Sequence, residues 1–325
     1  MAVEKKIDQI VGLKDTFFKV VEDHTAGSPQ QGIVWTNIKP REIAEKITAA
    51  GKEVSRNIAR QLMKDNGFVL RQSQKKKSYR QHPNRQQQFE YIRKLKMKYL
   101  AENKPVISID TKKKELIGTF YRAGKLYTKE TIEVWDHDFP SYARGKVVPH
   151  GIYDIALNKA HINIGTSSDT TEFACDSLLH WWRTFGVTDY PHAKHLLIRC
   201  DGGGSNPANS YLFKQDIQRL ANETGLEIRL AHYPAYCSKH HPIEHRVFPH
   251  VTRACQGVVF DCVETVRQLI AQTSTCTGLQ VSVDVLDRVY ETGRKVAKDI
   301  ASKLNLVLDD TLPRWNYTLS PHTTI

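Results

Sequence analysis

The sequence predicts an α/β fold, a mixed sheet flanked by helices, behind a smaller helical N-terminal region. Three observations predict it. Beyond residue 105 strand-like runs come first, and strand and helix signals then alternate, the order of a sheet layered with helices. Two of the runs, Val106-Ile107-Ser108-Ile109-Asp110 and Leu196-Leu197-Ile198-Arg199-Cys200-Asp201, are apolar and end in an aspartate. The charge is lopsided: of +12 overall, residues 1–104 carry +11, with 22 of 47 Lys+Arg but only 11 of 35 Asp+Glu.

The 325 residues leave room for one large and one smaller domain, and a hydrophobic content of 40% is enough for a packed core. No stretch is long and apolar enough for a membrane span, and the early Glu4, Lys5, Lys6 and Asp8 do not form a secretory signal. The six cysteines contain no CxxC pair and read as reduced thiols of a cytosolic protein. A basic module joined to a nearly neutral one with an acidic site points to a polyanion held by one part and worked on by the other.

Taken in order, Val3, Ile7, Ile10, Val11, Phe17, Phe18 and Val21 fit a helix over 3–24, followed by a loop with Gly27, Pro29 and Gly32. A helix over 41–50 (Ile43, Ala44, Ile47) stops at Gly51. A second helix runs from a Ser55 cap through Ile58 and Leu62 to Asn66-Gly67. That layout is helix-turn-helix, and its polar face offers Arg56, Asn57, Arg60, Gln61 and Lys64 to phosphates and base edges of double-stranded DNA. The alternative is an ordinary helical hairpin with a solvated basic face. A basic connector follows, with Lys75, Lys76 and Lys77 placed to track a DNA backbone or simply solvated, and with a helix-like run from Phe89 to Lys96.

Strands are then expected over 106–110 and 115–121, joined by the Lys112-Lys113-Lys114 turn, and over 152–157 and 161–165. A helix over 170–185 opens on a capping-box-like Asp169, with Trp181-Trp182 as core bulk. The 195–201 strand, a helix over 206–224, a strand over 226–230 and a helix over 243–254 complete the core. Helices over 262–271 and 291–304 end the chain. The expected divisions are 1–70 helix-turn-helix region, 71–104 basic linker, 105–260 catalytic domain and 261–325 helical extension.

Phosphodiester cleavage puts negative charge on the attacking and leaving oxygens. Two divalent ions roughly 3.5–4 Å apart can clamp both, held by carboxylates on rigid elements. Asp110 and Asp201 at strand ends, 91 residues apart, and Glu244 on a helix 43 residues further on, are the candidates for holding Mg²⁺, or Mn²⁺. Each aspartate could instead be a plain turn residue. Asp136, Asp138 and Asp154 are runners-up, and Lys112, Lys113 and Lys114 could hold a nearby phosphate. Gly202-Gly203-Gly204 lacks the Gly-Lys-Ser/Thr of a phosphate loop. His232, Cys237, His240, His241, His245 and His250 match no strong zinc spacing.

The segments Ile107–Glu115, Asp136-His137-Asp138-Phe139-Pro140, Asp201–Asn206 and Ile243-Glu244-His245-Arg246 resemble the ISAzo-thirteen-type insertion-sequence transposases of bacteria, relatives of the mariner-type DDE enzymes. The run from Tyr233-Pro234 to Pro242-Ile243-Glu244 is similar to the mariner third-carboxylate motif. The resemblance covers roughly residues 30–320. It implies a ribonuclease-H-like fold, two Mg²⁺ ions, and cutting and joining of transposon-end and target DNA by a homo-oligomer on DNA in a bacterial, nucleoid-associated cytoplasm. It gives Asp110, Asp201 and Glu244 the triad roles, with Asp110 bridging both ions. Two departures stand out. Family members generally carry a further helix-turn-helix segment ahead of this match, so the chain reads as a shortened copy. His240-His241 also replaces a Trp-Asn-like pair. The other readings are a catalytically inactive, truncated DNA-binding relative and a metal-dependent nuclease without strand transfer.

Overall fold

The computed structural model describes residues 7, 9–24, 35–71, 82–235, 237 and 240–322. Lys75, Lys76, Lys77 and the loop with Gly27, Pro29 and Gly32 lie outside them. The chain divides into two compact units, Met1–Lys77 and Ser78–Ile325.

In the first unit, helices α1 (Leu13–Glu22), α2 (Pro40–Ala49) and α3 (Arg56–Asp65) share one apolar core. Their i, i+3, i+4 positions explain it: Leu13, Phe17 and Val21 meet Ile43, Ile47, Ile58 and Leu62, all at 5% exposure or less. The helix expected over 3–24 is represented by α1, which starts after Gly12, whose φ of +67° interrupts the helical path. Gly51, at φ +87°, turns the chain between α2 and α3. Ser55 Oγ accepts the Ile58 N–H at 3.4 Å, the expected cap. Arg56, Asn57, Arg60 and Lys64 lie on the exposed face of α3.

The second unit is built on a mixed sheet. Its strands are β1 (Val106–Thr111), β2 (Glu115–Ile117), β3 (Gly145–Asp154), β4 (Lys159–Gly165), β5 (His195–Cys200), β6 (Glu227–His232), β7 (Gln280–Leu286), β8 (Leu306–Leu308) and β9 (Asn316–Leu319). They lie in the order β7-β4-β3-β1-β5-β6-β9-β8, with β2 paired to β3. The main helices are α4 (Arg85–Ala101), α5 (Thr171–Trp181), α6 (Tyr211–Thr224), α7 (Pro242–Arg246), α8 (Phe248–Ala254) and α9 (Val263–Ala271). Strand alternation sorts the core. Ile107, Ile152 and Ile198 face α5 and α6, where Trp181 and Trp182 supply bulk, while Val106, Tyr153 and Leu197 face the other way.

Several expectations are corrected. Lys112–Lys114 is not a hairpin turn, because β2 pairs with β3 (Glu115↔Val147) and β1 with a later stretch of the same strand (Asp110↔Gly151). The ten-residue β3 runs past both, so the lysines mark a jog along one partner. The 71–104 connector is not all linker. Its second half is α4, which buries Ile92 and Tyr99 against Val106, Leu197 and Tyr233. Gln88 of α4, fully buried, donates to His232 O and Asn316 Oδ1, both at 2.8 Å. The helix expected over 243–254 breaks at Val247, ahead of Pro249, into α7 and α8.

The 261–325 segment is not a helical extension. It contributes β7, β8 and β9 to the sheet, and the helix expected over 291–304 is reduced to a short 3₁₀ turn at Ile300–Lys303. Asn316–Leu319 is buried throughout, but its alternation is too short to register as a strand by pattern.

Candidate functional site

β1 and β5 are parallel neighbours (Ile107↔Ile198), so their C-terminal ends emerge on the same edge of the sheet. Asp110 is the penultimate residue of β1, and Asp201 is the first residue after β5. On its other side Asp110 pairs with Gly151 of β3. A Cβ at Gly151 would lie 2.7 Å from Ile243 Cδ1 and 2.8 Å from Phe248 Cε1. The bare glycine therefore lets α7 and α8 press onto the sheet, and Glu244 comes directly after Ile243. Gly151→Ala is expected to cost about 1–3 kcal/mol by overpacking. A fall in the denaturant midpoint at unchanged m-value would show it.

The electrostatics record how close the three carboxyl groups come. Burial, then the neighbouring Asp110 charge, push Asp201 up to about 6. The Gly203 N–H, donating to Asp201 Oδ1 at 3.2 Å, opposes the rise. Burial also raises Glu244, followed by the charge of Asp110 and a hydrogen bond to it, with His241 opposing. The structure thus brings Asp110, Asp201 and Glu244 together, with Asp110 perturbing both others. They are not one tight cage. Among the described residues, the only group of at least three His, Cys, Asp or Glu with a ligand atom of each within 4.8 Å of the rest is His161, His180 and Asp284.

Asp110 Oδ1 accepts the Thr111 N–H at 2.8 Å. Thr111 Oγ1 donates to Asp169 Oδ1 at 3.2 Å and lies 3.3 Å from Ser205 Oγ. Asp169 is thus a fourth carboxylate at the rim. The helix cap expected of it belongs to Thr170, whose Oγ1 accepts the Phe173 N–H at 3.1 Å. His241 is fully buried, its Nδ1 3.5 Å from Asp110 Oδ2 and its ring 4.2 Å from that of Tyr233. His150, one residue before Gly151 and also fully buried, is pushed down to about 4 by burial against the opposing charges of Asp169 and Asp110, so it is neutral at pH 7. Among the described residues, neither ring of this histidine pair has a hydrogen-bond partner on its nitrogens. Spacing gives no signal for His150 or Asp169, because strand pairing and a loop bring them in.

Other candidates fall elsewhere. Asp136 and Asp138 are exposed in the 118–144 insertion. Asp154 is the last residue of β3 and caps the turn into β4, its Oδ1 accepting the Ala156 and Leu157 N–H groups at 2.9 and 3.0 Å. Lys112 is engaged with Glu115 at 2.9 Å, whereas Lys113 and Lys114 are exposed. His232 is fixed by Asp201 O at 2.7 Å and Tyr317 Oη at 3.0 Å, a structural role. No helix of the described residues is long and apolar enough to cross a membrane.

Oxygen-only donors suit a hard divalent cation, and carboxyl groups raised by burial and by one another's charge are those a cation would stabilise in ionised form. The residues present fit such an ion.

The sequence matches the family described as Rhodopirellula transposase DDE domain over residues 17–321. No curated protein matches it. Among solved structures the fold is similar to the Mos1 transposase paired-end complex with left transposon end, at 11% identity and TM-score 0.44, covering 78% of this chain and 68% of that one. It is similar also to the Mos1 mariner paired end complex with Mn, at 12% identity and TM-score 0.44, covering 78% and 69%. The corresponding complex with Mg is 11% identical, with TM-score 0.45 and coverage of 78% and 68%. The family match spans nearly the whole chain, both compact units included, and on that ground the chain belongs to the Rhodopirellula transposase DDE domain family.

Proposed function

We propose that this chain is a DNA transposase that cuts transposon-end DNA and joins it to target DNA, with Asp110, Asp201 and Glu244 as its catalytic carboxylates. The observation that carries the reading is that parallel β1 and β5 end Asp110 and Asp201 on one sheet edge, where the helix of Glu244 presses onto Gly151, the strand partner of Asp110, although 91 and 43 residues of chain separate the three acids. These residues would hold Mg²⁺, or Mn²⁺, which when bound supplies an activated water and charge neutralisation at the phosphodiester. Asp110 would be the ligand the ions share, with Asp201 and Glu244 each favouring one of them. Thr111 donates its N–H to Asp110 and its hydroxyl to Asp169, fixing the β1 end. His241 packs behind Asp110 and excludes water from that side.

The α3 face with Arg56, Asn57, Arg60 and Lys64 acts as a helix-turn-helix surface on double-stranded DNA. The exposed Lys113 and Lys114 serve as further phosphate contacts, and Lys75, Lys76 and Lys77 track the backbone. The active form is a homo-oligomer on DNA in the bacterial nucleoid.

The test is strand cleavage and joining on end-containing DNA with Mg²⁺. Nicks at the element end and joined target products are expected. Nicks without joined products would identify a nuclease, and salt-sensitive binding without nicks a non-catalytic DNA-binding protein. For the DNA face, replacing Arg60 and Lys64 with alanine should flatten the slope of log K against log salt by about 1.8, about 0.9 for each phosphate left without its cation. An unchanged slope would place the DNA-binding surface elsewhere.

A further inference from the structure

The unit has a second cluster that shares no residue with the carboxylate site. His161 of β4, His180 in the last turn of α5 and Asp284 of β7 converge where these three elements meet. His180 Nε2 lies 2.9 Å and His161 Nε2 3.6 Å from Asp284 Oδ2. A tetrahedral ion with bonds of about 2.0–2.1 Å has ligand atoms roughly 3.3–3.4 Å apart, so both spacings suit one shared ion. Asn163 adds a fourth donor. Its Oδ1 is 3.1 Å from His161 Nε2, and its Nδ2 is tied to Ser177 O at 3.1 Å, which holds the oxygen toward the cluster.

The His161 ring is prepared for either state. Without an ion, Nε2–H can donate to Asn163 Oδ1. With the proton on Nδ1, that nitrogen donates to Ser282 Oγ at 2.8 Å, and the Nε2 lone pair is freed toward the cluster. His161 is 2% exposed, while His180 and Asp284 at 35% and 45% leave an entry path from solvent. Two imidazoles with one carboxylate favour zinc-like ions over Mg²⁺, which prefers oxygen alone. The plainer reading is a half-exposed His180–Asp284 ion pair with a His161 Nε2–Asn163 Oδ1 hydrogen bond beside it, and the two readings part on whether a zinc ion binds there.

We propose that His161, His180 and Asp284, with Asn163 Oδ1 beside them, bind one Zn²⁺ ion that pins edge strand β7 to β4 and α5. The site is structural. It ties a strand contributed from residues 280–286 to the body of the sheet, where β4 and β7 pair in parallel from Lys159↔Gln280 to Gly165↔Leu286.

The test uses the full-length protein, stripped with chelator and dialysed against Zn²⁺ in excess Mg²⁺, with metal content and Tm measured. One zinc per chain and a raised Tm are expected, both retained in Asp110→Asn and both lost in His180→Ala and Asp284→Ala. Zinc that survives these two replacements, or that disappears with Asp110→Asn, would overturn the site. Co²⁺ substitution in the unaltered protein gives a readout independent of variant folding. The strong visible bands of a four-coordinate nitrogen and oxygen site are expected, and only weak six-coordinate bands would overturn the proposal.

Discussion

Asparagine in place of Asp201 is expected to lower Mg²⁺-dependent cleavage of end-containing DNA by about three orders of magnitude, the equivalent of roughly 4 kcal/mol of transition-state stabilisation. The same replacement should make the metal-free protein more stable at pH 7.5. Burial and the Asp110 charge hold Asp201 up at about 6, so in the fold its neutral form is favoured and its ionised form is under strain. Asn has the size of the carboxylic acid and none of the charge. It removes both the cost of burying a charge and the repulsion by Asp110, together worth up to about 3 kcal/mol for the rise from the ordinary value to about 6, and it removes the ligand as well. Activity down and stability up is a combination that a mere folding defect cannot produce. Denaturant unfolding in chelator, beside the cleavage assay, reads both, and a destabilised Asp201→Asn would contradict the assignment.

The second large effect is a pH dependence with two opposite signs. Asp201 is raised in the fold, so its contribution to metal-free stability is fully present below the ordinary carboxylate range near 4 and is lost as pH rises through about 6. Glu244, also raised, adds to the same trend. In chelator, stability should therefore fall by a few kcal/mol between about pH 4 and 7 from these groups. A bound divalent cation reverses the sign, because it binds the ionised carboxylates. The rise in Tm on adding Mn²⁺ should be large at pH 7.5 and nearly absent at pH 5, with apparent affinity falling about tenfold per pH unit below 6 for each proton displaced. Differential scanning at the two pH values checks this, and a Tm rise equal at both would place the ion on groups other than these.

Much of this site is legible in the chain because its acids sit at the ends of apolar runs. Val106–Ile109 and Leu196–Cys200 are buried strands, and the residue after a buried strand in an α/β sheet emerges at one edge. Glu244 is legible as a helical carboxylate beside an apolar Ile243, but its approach to Asp110 depends on Gly151, a bare position on a strand that pattern alone starts too late. The residues behind the acids are not legible. His150 reaches the site through antiparallel pairing of β3 with β1, and Asp169 through a hydrogen bond from Thr111, neither of which leaves a spacing.

The sheet is hardest to read at its margins. Helix α4 shows a helical pattern in sequence, but its apolar stripe, Phe89, Ile92, Leu95 and Tyr99, lies among lysines and arginines, and so it reads as the end of a basic connector and not as part of the core. Strands β8 and β9 are three and four residues long, too short for a period to show, and they are held by partners elsewhere in the sequence.

One experiment bears most directly on whether three distant acids share a pair of ions. Fe²⁺ replacing Mg²⁺, with ascorbate and peroxide, cuts the polypeptide where the ion is bound, and mass spectrometry maps the breaks. Breaks beside Asp110, Asp201 and Glu244 together, all suppressed by added Mg²⁺, are the expected result. Breaks at one of the three alone, or at none, would contradict a shared centre.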